Sequence, residues 1–292
     1  MNTNRLNRPY VRVRSMAPSD LAFADSLRAL AGWNQTVKDW RRLLAFEPEG
    51  CFVAEWNGAP AGTATTTCYG TELAWIGMVL VHPELRRRGI GRTLLERCLG
   101  YLRDRAIRCI KLDATPLGKE LYQKLGFRDE WPWTRWETAG FLSSGMPSGA
   151  SRPWAISDSE SMAQLDREAF GIMRWKMLEQ MARASSQVLV HAPEAGRITG
   201  FGMLRQGARA AYLGPVVAVS ADEGAALIKT LGASVTGQPI YWDIPDANAS
   251  AVELAKSSGF APQRRLSRMV LGENGTPGQP QLQFAIADPA IG

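Results

Sequence analysis

Three short stretches in the first half of this 292-residue chain recur, in the same order, in the second half. The matched stretches are 75–79 (WIGMV) with 212–216 (YLGPV), 111–113 (KLD) with 241–243 (YWD), and 121–127 with 254–260, which both end in Gly-Phe. Landmarks that recur in order are typical of a duplicated domain. Unrelated α+β domains can share such patterns by chance, but the matched Asp and the Gly-Phe endings favour duplication. Since a domain has roughly 150 residues, the length also fits two domains.

A stretch unsuited to helix or strand separates the two halves. Residues 138–152 (TAGFLSSGMPSGASR) contain eight Gly, Ser or Pro residues, which is typical of an interdomain linker. We therefore predict a first domain over residues 1–139, a linker over 140–152 and a second domain over 153–292.

Hydrophobic periodicity predicts the same mixed architecture in both halves. In the first half it indicates a strand, two helices, three strands, a helix, a strand and a helix, with a hairpin turn at Asn57-Gly58. The fold class is therefore α/β (α+β), with a mixed, mostly antiparallel sheet flanked by helices in each domain. Near the end, residues 281–287 predict a strand that pairs with an open sheet edge, in either domain.

The charge of the chain is concentrated in one place. Its net charge is +6, and residues 86–111 alone carry nine basic and two acidic side chains. A basic patch focused at the start of one helix favours a phosphate-bearing small ligand, whereas a spread basic face would favour nucleic acid. We therefore expect no nucleic-acid partner.

Other residue types exclude further classes of function. The four cysteines and two histidines are scattered without metal-ligand spacing, so we expect neither a metal site nor a disulfide. No apolar run is long enough for a membrane span, and no signal peptide is evident at the start, so we expect a cytoplasmic protein without a membrane partner. The sequence does not indicate the oligomeric state.

The strongest chemical motif spans residues 78–91 (MVLVHPELRRRGIG), where a buried strand, a basic turn and two glycines precede a long amphipathic helix. Gly89 and Gly91 allow the backbone to approach a ligand closely. The helix N-terminus supplies unpaired N–H groups and partial positive charge. Together these features predict a cradle for an anion such as pyrophosphate.

With this motif, residues 10–137 resemble the GNAT superfamily of acetyl-CoA-dependent N-acetyltransferases, whose signature is [RQ]-x-x-G-x-[GA] after a splayed strand. The whole chain resembles a bacterial subgroup in which an active GNAT domain precedes an altered, GNAT-like one. The resemblance implies acetyl-CoA as cosubstrate, with the strand pairing to pantetheine and the loop holding pyrophosphate. The implied donor-binding residues are Val79, Leu80, Val81, Arg86, Arg87, Arg88, Gly89, Ile90, Gly91, Arg92 and Thr115.

The resemblance also implies that Tyr122 protonates the departing thiolate, the alternative being an aromatic residue that only packs. Two positions depart from the family. Thr115 stands where many relatives have an Asn that contacts pantetheine, so that contact is expected to differ or be absent. Trp75 stands where histone-type relatives have a glutamate base. Glu72 is the candidate to accept the amine proton, although a solvated turn residue is the simpler interpretation.

The second domain lacks the donor-binding motif. Where the first has Arg-Arg-Arg-Gly-Ile-Gly, it has acids at Asp222 and Glu223, and Ala255 replaces the tyrosine. We expect it to recognise the acceptor or form an interface. Candidate acceptor contacts are Asp243 for an amine, Arg174 for an acidic group, and Trp33 and Asn34 in the first domain, with a turn cap as the alternative for Asp243.

We therefore predict an enzyme that transfers an acetyl group from acetyl-CoA to the amine of a small molecule by direct attack in a ternary complex. Two alternatives stay open: a CoA-responsive regulatory protein whose catalysis has decayed, and an acetyltransferase acting on protein tails.

Overall fold

The computed structural model of the chain describes residues 10–141, 150–193, 197–235 and 237–292. These residues pack as two compact units. The N-terminal unit holds the residues up to 67 together with 76–106, and the C-terminal unit holds 68–75 and 107–292. This division by packing differs from the boundaries proposed for the repeat, and those boundaries stay a prediction. Residues 142–149 of the proposed linker lie outside the described residues, whereas its last two residues already belong to a strand.

The N-terminal unit contains β1 (Val11–Ser15), α1 (Leu21–Leu30), α2 (Val37–Phe46), β2 (Cys51–Trp56), most of β3 (Ala59–Tyr69), the end of β4 (Leu73–Val81) and α3 (Ile90–Asp104). Strand β2 pairs antiparallel with both β1 and β3. The predicted turn between β2 and β3 is confirmed. Asn57 and Gly58 both have positive φ, 52° and 84°, as the turns of two-residue hairpins require.

The start of α1 differs from the prediction in one detail. The sequence indicates a helix over 18–31 opened by Ser19, but a 3-10 turn over Pro18–Asp20 precedes α1. The Asp20 carboxylate accepts the backbone N–H of Ala17 at 2.8 Å and a bidentate contact from Arg14. Asp20 is therefore the residue that fixes this helix entry, because its carboxylate reaches back to the preceding turn.

The C-terminal unit contains β5 (Cys109–Ala114), α4 (Pro116–Lys124), β6 (Arg128–Thr138), β7 (Ser151–Pro153), α5 (Ser159–Phe170), α6 (Trp175–Ala184), β8 (Gln187–His191), β9 (Gly200–Arg205), β10 (Ala211–Ala218), α7 (Ala221–Ala233), β11 (Ile240–Pro245), α8 (Ala249–Ser257), β12 (Ala261–Gly272) and β13 (Gln283–Ala285). Its strands run in the order β5-β12-β6-β11-β10-β9-β8-β7. The predicted strand near the end is β13, which pairs antiparallel with β10 of the second repeat.

The two repeats exchange their last long strands within this unit. Strand β12, from the second repeat, lies between β5 and β6 of the first, and β6 in turn pairs with β11 of the second. All of these pairings are antiparallel. Each repeat therefore completes its sheet with a strand of the other repeat, so the C-terminal unit mixes elements from both halves of the sequence.

A hydrophobic core covers one face of this sheet. Leu227, Ile228 and Leu231 of α7 pack with Trp242 of β11 and Phe260, whose rings meet edge to face at 5.3 Å. Each fully buried aliphatic side chain contributes about 1.5–3 kcal/mol. The opposite face carries buried charges, which are described below.

Candidate active site

The end of β4 has an irregular backbone. Met78 is buried and has a φ of 50°, which is uncommon for a residue other than glycine. Its carbonyl accepts a hydrogen bond from the Thr63 hydroxyl at 2.9 Å. This left-handed residue interrupts the extended backbone of the strand and changes the direction of the backbone groups that follow it, here those of Val79, Leu80 and Val81. Leu80 is buried, and its two neighbours are half-buried.

The loop after β4 is basic and exposed. Arg86, Arg87 and Arg88 are all exposed, and Arg87 has a φ of 61°. The guanidinium of Arg88 lies 5.4 Å from the centre of the Trp56 ring. Arg92, in the first turn of α3, forms an i,i+4 ion pair with Glu96 at 2.8 Å. The three loop arginines therefore present positive charge to solvent directly before a helix begins.

Helix α3 begins with an open N-terminus. Its N-cap residue is Gly89, with a φ of 84°, and no side chain caps the first turn. A Cβ atom placed on Gly89 would meet nothing within 4 Å, so the glycine faces open space. The next residue, Ile90, is buried and anchors the helix. The first-turn N–H groups, including that of Gly91, lack carbonyl partners within the helix, so this N-terminus fits an anion such as pyrophosphate.

The corresponding helix of the second repeat, α7, begins differently. The Ser220 hydroxyl accepts the N–H of Glu223 at 3.4 Å, and Asp222 and Glu223 place two acids in the first turn. These side chains already supply the acceptor and the negative charge that a helix N-terminus favours. That this helix does not bind pyrophosphate stays a prediction.

Tyr122 lies on α4 of the C-terminal unit, and Thr115 is the N-cap residue of that helix. The Thr115 carbonyl accepts the N–H groups of Gly118 and Lys119, and Pro116 occupies the first helical position. The ring of Tyr122 is buried and packs edge-on against Phe127 at 6.1 Å. A Cβ atom on Gly118 would lie 2.9 Å from this ring and 3.4 Å from its hydroxyl. Gly118 therefore makes room for Tyr122, a role that the sequence did not reveal.

Asp243 is buried and engaged on both carboxylate oxygens. It accepts two hydrogen bonds from Arg135, both of 2.6 Å, and one from the Tyr212 hydroxyl at 3.0 Å. Burial alone would lower the pKa of Arg135, but the charge of Asp243 more than offsets this and the pKa is raised. This geometry favours a structural ion pair over both an amine contact and a turn cap. The amine contact stays a prediction.

The first repeat contains a matching ion pair. Asp113 of β5 lies directly opposite Arg268 of β12, just as Asp243 of β11 lies opposite Arg135 of β6. Arg268 donates two bonds of 3.0 Å to Asp113 and is as buried as its counterpart. Burial raises the pKa of Asp113, and Arg268 acts against this rise. Each pair joins one repeat to the other across the exchanged strands.

Arg174 is already paired as well. It is buried and donates to both carboxylate oxygens of Asp166, at 2.8 and 3.0 Å, and to the Gly292 carbonyl at 2.6 Å. Its guanidinium also lies 3.6 Å from the centre of the Phe170 ring. An acidic acceptor group would have to compete with Asp166, so the geometry favours a structural role for Arg174, and the acceptor contact stays a prediction.

The remaining acceptor candidates lie in separate units. Trp33 is half-buried and its carbonyl accepts a bond from Arg28 at 3.2 Å, while Asn34 is buried. Glu72, in the C-terminal unit, is exposed, and its carbonyl accepts the N–H of Cys109. An exposed carboxylate suits proton exchange with water, but the structure gives Glu72 no fixed partner side chain among the described residues.

The cysteines and the other residue types that bind metals show no sign of a reactive or metal-binding site in the described ranges. All four cysteines are free thiols, and burial raises the pKa of Cys51 to about 12. In the described ranges no cluster of three or more His, Cys, Asp or Glu side chains could hold a metal ion. Within those ranges, too, every helix is too short or too polar to cross a bilayer.

Comparison with known proteins agrees with this geometry in both halves. The Acetyltransferase (GNAT) family matches residues 21–127, and a second family described as Acetyltransferase (GNAT) domain matches residues 162–285. The chain belongs to the GNAT acetyltransferases. As a tandem GNAT protein it has the predicted fold class, a mostly antiparallel mixed sheet flanked by helices, with one GNAT domain in each half of the sequence.

Individual relatives extend the likeness over most of the chain. A crystal structure of a protein assigned as an acetyltransferase from Pyrococcus horikoshii has 25% sequence identity and a TM-score of 0.83, covering 97% of this chain and 96% of its own. A tandem GNAT protein from the clavulanic acid biosynthesis pathway is 16% identical and has a TM-score of 0.66. The match covers 90% of this chain and 98% of that protein. At this identity the likeness supports the fold alone.

Among curated proteins, the uncharacterized N-acetyltransferase YitH of Bacillus subtilis is 29% identical over 189 residues, which are 64% of this chain and 66% of YitH. This tandem GNAT chain spans between 47% and 66% of the length of the curated relatives that it matches.

Proposed function

We propose that this tandem GNAT protein transfers an acetyl group from acetyl-CoA to the amine of a small molecule. The observation that carries the proposal is the open N-terminus of α3, where Gly89 faces open space behind three exposed arginines. Acetyl-CoA carries phosphates that such an N-terminus and its basic loop would hold. The donor-binding set is then the backbone of 79–81 and the loop 86–92, with Thr115 as a variable contact.

The chemistry requires one attack and one proton return. A neutral amine attacks the thioester carbonyl, a C–N bond forms, the C–S bond breaks, and the coenzyme A thiolate leaves. Negative charge develops first on the carbonyl oxygen and then on sulfur, so a backbone N–H and a nearby acid each lower the barrier. In this proposal Tyr122 gives its proton to the thiolate, and the amine proton leaves through water or Glu72.

The class of acceptor follows from where the positive charge lies. The basic side chains are concentrated at the proposed donor loop, so the charge of the protein does not favour an acidic macromolecule as acceptor. A small amine is therefore preferred. An amine with a pKa near 10 is mostly protonated at neutral pH, so the rate should rise with pH as more of it becomes neutral.

The test uses the purified chain with acetyl-CoA and a panel of small amines, and measures the release of thiol with a thiol-reactive dye. We expect thiol release above the hydrolysis background for at least one amine, together with one acetyl-CoA site per chain by isothermal titration. Binding without turnover on any amine or peptide would instead support the regulatory protein. Turnover on peptides alone would support the protein-tail enzyme.

A further inference from the structure

The charged face of the C-terminal unit contains one arginine that differs from the others. Four buried arginines of this unit each have an aspartate partner: Arg135 with Asp243, Arg174 with Asp166, Arg205 with Asp288 and Arg268 with Asp113. Arg264, in β12, has no ion pair within the described residues, and its buried Nε atom has no hydrogen-bond partner there. Its side chain is half-buried, so part of it reaches solvent.

The position of Arg264 adds to this imbalance of charge. Arg264 lies directly opposite Arg135 in the pairing of β12 with β6, and Arg135 lies opposite Asp243 of β11. The three strands thus carry one acid and two bases in a row. Both oxygens of Asp243 are bonded to Arg135, so the second positive charge is left over. Like charges directly opposite each other are destabilising unless a counter-charge is present.

Arg135, the strand neighbour of Arg264, lies against two tyrosine rings, with its guanidinium carbon 5.0 Å from the centre of the Tyr241 ring and 5.9 Å from that of Tyr212. Tyr241 and Tyr212 pack with Ala210 in a small buried cluster, and Tyr241 is two residues from Asp243 on the same strand. Burial, together with the charge of Arg135, lowers the pKa of Arg264 to about 10, although Asp243 and Tyr241 act in the opposite direction. The Tyr241 hydroxyl has no hydrogen-bond partner within the described residues, so it can donate to a ligand.

The matching position of the first repeat lacks this feature. Counting from the Gly-Phe landmarks, Arg264 corresponds to Trp131, whose ring lies 4.1 Å from the guanidinium carbon of Arg268. An indole there stacks on the buried arginine and adds no charge. The second repeat has replaced this neutral cover with a guanidinium, which creates an unbalanced cation beside an otherwise matching ion pair.

We propose that Arg264 and the Tyr241 hydroxyl bind the anionic oxygens of a small carboxylate or phosphate group. A guanidinium donates paired N–H bonds to either group, and the tyrosine adds a third donor. An anion would also offset the repulsion between Arg264 and Arg135. Arg264 and Tyr241 belong to the C-terminal unit, whereas the proposed donor loop belongs to the N-terminal unit, and the proposal does not depend on acetyl transfer.

The test measures anion binding to three full-length proteins: the wild type, Arg264→Gln and Arg265→Gln. Arg265 is the matched control, because it is the next residue, is exposed and is paired with Asp246. Inorganic phosphate and benzoate are titrated separately by isothermal titration at constant ionic strength. We expect the wild type and Arg265→Gln to bind one of the two anions with equal affinity, and Arg264→Gln to bind it at least about tenfold more weakly.

A second variant tests whether any loss of anion binding in Arg264→Gln is due to misfolding. Tyr241→Phe retains the ring and removes only the hydroxyl. We expect this variant to keep the melting temperature of the wild type and to bind the same anion about two- to tenfold more weakly. A preference for benzoate identifies a carboxylate ligand, and a preference for phosphate identifies a phosphorylated one. The proposal is overturned if the wild type binds neither anion, or if Arg264→Gln binds as tightly as Arg265→Gln. Binding of coenzyme A to Arg264→Gln, measured in parallel, should equal that of the wild type.

Discussion

Helices α3 and α7 occupy equivalent places in the two repeats, yet their first turns are built for opposite tasks. Helix α3 starts at a glycine with exposed arginines before it, whereas α7 starts at a serine with two acids in its first turn. One N-terminus is left open to a ligand, and the other is satisfied by its own side chains. The two repeats thus share a scaffold, but only the first has an uncapped helix start, which we propose as the phosphate-binding site.

The scaffold that both repeats share is visible in their matching ion pairs. Arg14 and Asp20 at the start of the first repeat match Arg152 and Asp158 in the second, with the same bidentate contact of 2.7 and 2.8 Å. The pairs Asp113–Arg268 and Asp243–Arg135 likewise match. Features found in both repeats therefore belong to folding, and features found in one repeat are the candidates for function.

The largest expected effect is at Asp243, and it tests whether a feature found in both repeats serves folding. Asp243→Asn should lower the free energy of unfolding by about 3–5 kcal/mol, because it leaves Arg135 buried without a counter-charge. Urea denaturation measures the loss. Asp113→Asn, the change at the matching residue, should cost a similar amount. If Asp243→Asn instead raises the acceptor KM by about tenfold while its stability is unchanged, Asp243 contacts the amine and the structural interpretation fails.

The second largest effect is expected at the uncapped N-terminus of α3. Gly89→Val should weaken acetyl-CoA binding by about 100-fold or more, because the added side chain fills the space in front of the first-turn N–H groups. Gly58→Val is the matched control, since Gly58 has the same φ of 84° and also faces open space. Isothermal titration should show normal affinity for this control. Equal losses in both variants would mean that backbone strain, not the cradle, explains the result.

A third change separates donor binding from catalysis. Tyr122→Phe should lower kcat by about 100-fold while the Kd for acetyl-CoA stays the same, because only the proton for the thiolate is lost. The ring remains against Phe127, so the fold should be kept. As a control, Tyr101→Phe in α3 removes a hydroxyl that contacts Glu47, and it should leave kcat unchanged. Full turnover by Tyr122→Phe would make Tyr122 a packing residue.

The smallest effect is expected at the capped N-terminus of α7. Ser220→Ala removes the cap of α7 and should lower the free energy of unfolding by about 1 kcal/mol. Affinity for acetyl-CoA should not change, because we place no donor contact in the second repeat. A second acetyl-CoA site in titrations of this variant would show that the cap alone closes α7, and that the acids of its first turn do not prevent binding.

Local signals in the sequence predicted most elements of the fold. The sequence predicts strands over 73–81 and 109–114, and β4 and β5 have these bounds, because apolar runs and nearby turn signals define them. Strand β6 was missed, because Pro132 and several charged residues interrupt its pattern and its stability comes from two neighbouring strands. The strand exchange could not be predicted either, since local periodicity does not specify which strand pairs with which.

The residues of the candidate site also fall into those that local sequence predicts and those that depend on the tertiary fold. The open start of α3 is a local feature, so Gly89 and the arginines before it could be read from the sequence. Arg135, the partner of Asp243, lies on an exchanged strand, and Asp166, the partner of Arg174, lies on the preceding helix. Local periodicity specifies neither contact, so both residues were assigned to an acceptor before their partners were visible. Arg264 was missed because an unpaired charge is recognised only once every neighbour is placed.

The exchanged strands also bear on how the chain is synthesised. Strand β5 pairs with β12, which emerges from the ribosome roughly 150 residues later. At about 5–20 residues per second, β5 waits on the order of ten seconds or more for its partner. During that interval one edge of β5 is open to pairing with other chains, so aggregation is most favoured in the time between the completion of the two halves.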